Sequence, residues 1–112
     1  MQWSQSERDG IVVLHLQGDV DLHSSPDLRA TLRNKCASRC AALIVDFAGV
    51  TYLDSSGLAT LVEYWRDSKT FGGKLALAGV NERLRTIFEV SRLGEIFSIF
   101  PTIEEAGAAV KS

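Results

Sequence analysis

The segment Asp54-Ser55-Ser56-Gly57-Leu58 places two hydroxyls and a carboxylate side by side where an apolar strand pattern gives way to a helical one. A hydroxyl there sits at the open end of a helix. Unpaired N–H groups and the positive end of the dipole favour a negative group at that place. Two kinds of chemistry fit. Ser55 could be a nucleophile served by a base within this chain, or it could accept a phosphoryl group delivered by another protein. The first needs a histidine, and only His15 and His23 are present. His15 lies inside an apolar run, where a single polar residue is more often packed or edge-facing than catalytic. His23 lies ahead of the first helix, in a loop able to approach the serine turn. A G-x-S-x-G elbow around Ser55 would need glycine at residue 53, which is Leu53. Neither G-x-x-x-x-G-K-[ST] nor G-x-G-x-x-G occurs, and no residue set calls for a cofactor. Ser55 therefore reads as a substrate for another protein's chemistry, with Ser56 as the alternative acceptor.

Asp19, Asp21 and Asp54 leave two readings open. Three carboxylates near a helix N-terminus can hold Mg²⁺ or work as an acid/base pair. The plainer reading, which we favour, has Asp54 capping the helix and Asp19 and Asp21 making a solvated turn. Carboxylates beside a phosphoacceptor would also repel the product phosphate and sharpen a switch.

The elements that position these groups follow from periodicity and turn chemistry. Residues 2–8 are expected as an edge strand turning at Asp9-Gly10 into a buried strand over Ile11–Leu16, with Gly18–Asp21 as a polar loop. Ser24-Ser25-Pro26 opens a first helix with a serine cap, and Leu28, Leu32 and Cys36 form its stripe. A strand at 42–47 leads through Val50–Leu53 to the serine turn. A helix over about 56–70 follows, with Leu58, Leu61, Val62 and Trp65 inward, and ends at Phe71-Gly72-Gly73. Lys74–Ala78 is a strand, and Asn81 caps a helix carrying Leu84, Ile87 and Phe88 that Arg92-Leu93-Gly94 closes. Ile96–Phe100 is a last strand, and Pro101-Thr102 starts a final helix with Ile103, Ala106 and Val110. Strands alternating with helices give an α/β class with mainly parallel pairing, made mixed by the opening hairpin.

A length of 112 residues suits one compact domain over residues 1–112, and 46% hydrophobic content can fill its core. The net charge of −2 and the lack of a Lys/Arg cluster argue against direct binding of nucleic acid, since Glu82 and Glu89 interleave with Arg83, Arg85 and Arg92. No apolar run is long enough for membrane insertion, and the N-terminus lacks the charge and apolar run of a signal peptide, so a cytoplasmic protein is expected. Cys36 and Cys40 read as small packing residues with reduced thiols, because a zinc site needs more ligands and a redox pair would be C-x-x-C.

The order of strand, Asp-Ser-Ser-Gly-Leu, amphipathic helix, Gly-Gly, short strand and a helix with Phe88-Glu89-Val90-Ser91-Arg92-Leu93 resembles a STAS domain, in particular the bacterial anti-sigma factor antagonists. Gly18-Asp19-Val20-Asp21 resembles the family's Gly-Glu-Leu-Asp segment, with Asp for Glu and Val for Leu. The resemblance implies a STAS fold, with a mixed four- to five-stranded sheet and about four helices packed largely on one side. It implies a protein that acts by binding rather than as an enzyme. The unphosphorylated form would bind a GHKL-type anti-sigma factor serine kinase and release a sigma factor. That kinase, with ATP and Mg²⁺, would phosphorylate Ser55 and switch binding off, and a PPM-type serine phosphatase would reset it. Asp19, Asp21, His23, Asp54, Ser56, Gly57 and Leu58 would form the surroundings of the acceptor and the partner-binding surface. The same fold also serves as a non-phosphorylated subunit of lipid-transport or stress-sensing assemblies, and this second reading stays open.

Overall fold

The computed structural model describes residues 1–111. Gln2–Arg8 (β1) and Ile11–Val20 (β2) form an antiparallel hairpin whose turn puts Asp9 and Gly10 at positive φ. The chain continues through Ser25–Ala37 (α1), Ala42–Leu53 (β3), Ser55–Ser68 (α2) and Lys74–Ala78 (β4). Glu82–Val90 (α3), Ser98–Phe100 (β5) and Ile103–Lys111 (α4) complete it. The sheet order is β1-β2-β3-β4-β5, and every pair after the hairpin is parallel. The expected STAS architecture is thus present, with five strands.

Alternation along the central strands explains the layers. Leu43, Val45 and Phe47 of β3 point to one face, where they pack with Leu28 and Leu32 of α1, Leu58 and Leu61 of α2, and Leu84 and Phe88 of α3. Ala42 and Ile44 point to the other face and meet Ala76, Ala78, and Ala106 and Val110 of α4. Three helices cover one side, and α4 alone covers part of the other. Phe88 stands edge-on to both Phe47 and Phe97, with ring centroids 6.2 and 6.0 Å apart.

Several boundaries differ from the sequence reading. Gly18–Asp21 is not a free loop: β2 continues to Val20, which pairs with Leu53. Bulges between His15 and Gln17 and between Gly18 and Asp19 let the strand bend while it stays paired. Gly49 makes this possible, because a Cβ there would lie 3.0 Å from the Leu16 carbonyl. β3 likewise runs unbroken through the polar and glycine positions that divided it in the pattern. The inner face of α2 is turned from expectation: Tyr64 is buried, whereas Val62 and Trp65 are half-buried and Lys69 Nζ lies 3.8 Å from the Trp65 ring centroid. α3 ends at Val90, ahead of Arg92-Leu93-Gly94, and Arg92 itself takes the left-handed conformation. Ile96 and Phe97 belong to the turn before β5 rather than to the strand. Cys36 and Cys40 are free thiols, and burial pushes both pKa values up. Among the described residues no helix is long and apolar enough to cross a membrane.

Candidate functional site

The carboxyl ends of β2 and β3 meet the N-termini of α1 and α2, the end of a parallel sheet where ligand and partner sites arise. The Asp54 N–H donates to the Val20 carbonyl at 3.1 Å, tying the start of α2 to the end of β2. Asp54 is the cap: its Oδ1 accepts from the Ser56 N–H at 2.9 Å, the Gly57 N–H at 3.2 Å and the Ser56 hydroxyl at 2.5 Å. These bonds, led by that from the Ser56 hydroxyl, hold the Asp54 carboxyl below the usual carboxylate range, with a further contribution from the Leu22 N–H.

The two serines are therefore unlike. Ser56 is half-buried and its hydroxyl is spent on the cap, whereas Ser55 is exposed and among the described residues its hydroxyl has no hydrogen-bond partner. The cap also alters the expected electrostatics. Sequence reasoning held the N–H groups of this turn open for an anion, but Asp54 already takes those of Ser56 and Gly57. A phosphate on Ser55 would stand beside a carboxylate and face outward.

Asp21 organises the neighbouring turn. Its Oδ1 accepts from the His23 N–H at 3.0 Å and the Ser24 N–H at 3.1 Å. The bond from Ser24 leads in holding its pKa below the ordinary value. Ser24 occupies the cap position of α1 but makes no cap bond with its side chain, as its hydroxyl instead accepts from the Asp21 N–H at 2.9 Å. The Asp-x-x-Ser spacing allows this closed turn, which displaces the expected serine cap. Asp19 is exposed and its Oδ1 accepts from Thr51 Oγ1 at 2.8 Å. The three carboxylates are thus occupied as cap, turn and cross-strand acceptor. Among the described residues no three His, Cys, Asp or Glu side chains gather as metal ligands. His23 is exposed, and no hydrogen bond joins it to Ser55 or Ser56 among the described residues.

Gly57 and Leu58 fix the turn to the core. A Cβ at Gly57 would lie 2.6 Å from Leu53 Cδ1 and 2.9 Å from Val20 Cγ1, and both of those side chains are buried. Overpacking costs about 1–3 kcal/mol and alanine regains at most roughly 1 kcal/mol of helix propensity, so with both neighbours buried Gly57→Ala is expected to lower stability by up to about 2 kcal/mol. A urea midpoint equal to or above that of the wild type would show that the turn is not packed this way.

Leu58 is buried, but its outer edge lines a groove of about 540 Å³ beside Ser55, with Ala59, Val62, Leu93, Arg29 and Arg66 along its walls. Arg29 and Arg33 both pair with Glu63 at 3.2 Å. On the other flank Leu22 is 71% exposed and Tyr52 is 51% exposed. Sequence reasoning did not single out these two residues or the groove. Leu22, an apolar residue between Asp21 and His23 in a polar turn, was the available signal.

Comparison with known proteins agrees with this architecture. The STAS domain family matches residues 2–106. The chain is 34% identical over 95 residues to the anti-sigma-B factor antagonist of Bacillus subtilis, covering 85% of this chain and 84% of that protein. The crystal structure of an anti-sigma factor antagonist from Mycobacterium paratuberculosis superposes with a TM-score of 0.91 at 23% identity, over 99% of this chain and 94% of the other. The Bacillus cell fate determinant SpoIIAA in its phosphorylated form gives a TM-score of 0.75 at 24% identity, over 97% and 99%. With the family match spanning nearly all of the described fold and the serine turn at the end of its parallel strands, the chain belongs to the STAS domain family.

Proposed function

We propose that this protein is an anti-sigma factor antagonist controlled by phosphorylation of Ser55. The unphosphorylated chain binds an anti-sigma factor that is also a GHKL-type serine kinase, and a sigma factor is released into the cytoplasm. The kinase then transfers the γ-phosphoryl group of ATP to Ser55, and the modified chain lets go. A PPM-type serine phosphatase restores it. The observation that carries this reading is the contrast within the serine pair, one hydroxyl exposed and unpartnered, the other consumed by Asp54. The relative from Bacillus subtilis, an anti-sigma-B factor antagonist, supports the partner class.

The surroundings suit a binding surface. Leu22 and Tyr52 supply exposed apolar area next to Ser55, and the groove along Leu58 and Val62 continues it on the other side. Asp54 caps the turn beside the acceptor, and Asp19 and Asp21 lie at the end of β2 that Asp54 is tied to, so a phosphate adds about −1.5 to −2 to an end of the sheet that is already acidic. That added charge rivals the net charge of the whole chain, −2. The change alters what a partner meets at the surface while the cap and the core stay as they are. An intact, presented acceptor also favours the switch over the reading as a non-phosphorylated subunit.

The test is to add the unphosphorylated chain to a preformed complex of anti-sigma factor and sigma factor, followed by size-exclusion chromatography. Free sigma factor and a new antagonist–anti-sigma complex are expected. A sigma complex that persists at saturating antagonist would contradict the assignment.

A further inference from the structure

We propose that Ser6, His15 and Asp46 form a second site, a serine nucleophile relay that takes the acyl group of a small apolar ester. The site lies on the sheet face opposite α1, α2 and α3, away from the serine turn. Strand register builds it. His15 of β2 pairs with Asp46 of β3, and Ser6 of β1 pairs with Val13, diagonal to His15 on the same face. The Ser6 hydroxyl lies 2.9 Å from His15 Nε2, and His15 Nδ1 lies 2.8 Å from Asp46 Oδ2. The other oxygen, Asp46 Oδ1, accepts from the Ala48 N–H at 3.0 Å, so the carboxylate is held from both sides. Gly79 leaves room for it, since a Cβ there would come within 3.0 Å of Asp46 Oδ1. With Asp46 Oδ2 accepting a hydrogen bond from Nδ1–H, the Nε2 lone pair faces the Ser6 hydroxyl, the arrangement of nucleophile, base and orienting carboxylate needed for acyl transfer.

A groove lies on the same face of the sheet. It has a volume of about 340 Å³, with a floor of Ile11, Val13 and Ile44 and a wall from Ile103 of α4. Val13 is the cross-strand neighbour of Ser6, and Ile44 lies two residues before Asp46 on the same face, so the groove lies one register position from the relay, while Ser6, His15 and Asp46 stand outside its lining. The charged residues at its rim are tied to each other, Arg8 to Glu104 at 3.4 Å and Lys111 to Asp9 at 2.9 Å. An apolar floor under a neutralised rim selects an uncharged hydrocarbon chain, and the volume holds on the order of ten water-sized groups. The occupant is the acyl chain of a short ester. As the edge strand, β1 also presents N–H groups that no neighbouring strand takes, the donor type that a developing oxyanion needs.

The step balances with water as co-reactant. Ser6 Oγ bonds to the carbonyl carbon while its proton passes to His15 Nε2. The ester C–O bond breaks, and the alcohol leaves with that proton. Water then adds to the acyl carbon, giving a proton to Nε2, and Ser6 Oγ leaves and recovers it. One ester and one water give one acid and one alcohol. Ser6 and His15 act on the substrate, and Asp46 is a positioning residue.

The test incubates the full chain with an alkyl fluorophosphonate and maps the adduct by peptide mass spectrometry, alongside hydrolysis of p-nitrophenyl hexanoate and p-nitrophenyl acetate. We expect a single adduct on Ser6 and faster turnover of the hexanoate. Ser6→Ala should remove both signals. His15→Gln and Asp46→Asn should each slow adduct formation about 100-fold or more. Ser4→Ala, on the same strand face, should leave them unchanged. A purely structural hydrogen-bond network gives no covalent adduct. Absence of an adduct on Ser6, labelling of Ser4 at the same rate, or labelling of Ser6 unaffected by His15→Gln would overturn the proposal.

Discussion

Ser55→Ala is expected to abolish phosphate incorporation by the cognate anti-sigma factor kinase while leaving the fold and the binding of that kinase intact. The loss should be complete rather than partial, because Ser56 is a poor substitute acceptor. Its hydroxyl is 2.5 Å from Asp54 Oδ1 and is half-buried in the first turn of α2. Reaching a γ-phosphoryl group in line would require breaking that bond and opening the cap. Removing the Ser55 hydroxyl costs nothing comparable, since among the described residues it holds no partner. Labelling with γ-³²P ATP against wild type, with circular dichroism as the fold control, checks this. Equal labelling of the two proteins would move the acceptor elsewhere.

Charge at residue 55 is expected to have the second large effect. Ser55→Asp, and more strongly a genuine phosphoserine, should weaken binding to the unmodified partner by about 10²–10³-fold. An uncompensated charge buried in an interface costs about 3–5 kcal/mol, which is a factor of that size. The helix N-terminus does not absorb the charge, because Asp54 has already taken the N–H groups of Ser56 and Gly57. The aspartate carries less charge than a phosphate and should give the smaller loss. Titration calorimetry with each variant measures it. An unchanged affinity for both would exclude an electrostatic switch and point to steric or conformational control.

The serine turn was legible because strand, cap, glycine and amphipathic helix each leave a local pattern, and local patterns survive in a single sequence. Asp54 as cap and Asn81 as cap were both readable for that reason, and Asn81 Oδ1 accepts from the Leu84 N–H as expected. Features that depend on register were not legible. Gly18–Asp21 has the composition of a loop, yet pairing with β3 keeps it in the sheet as far as Val20, across a bulge between Gly18 and Asp19. The buried face of α2 turns on one residue, Tyr64 against Trp65, and both positions fit an apolar stripe within the scatter of helical spacing. His15 could be recognised as a polar residue in an apolar strand. Its partners Ser6 and Asp46 could not, because they lie on strands that only the sheet order brings to either side of it.

The same distinction separates the two serines of the turn. Sequence makes Ser55 and Ser56 equivalent candidates, and the resemblance to antagonists selects the first. Geometry supplies an independent reason for that choice, since the second hydroxyl is bound to the cap and the first is not. The proposed phosphorylation switch would need no refolding. It would change one exposed group near the exposed Leu22 and Tyr52 and the groove along Leu58.

The most direct test of this account is tandem mass spectrometry of the peptide spanning Ser55 and Ser56, after the wild-type chain has been incubated with its anti-sigma factor kinase, ATP and Mg²⁺. The account predicts a single phosphate, on Ser55, with Ser56 unmodified. A phosphate on Ser56, or none on either serine while the kinase remains active, would contradict it.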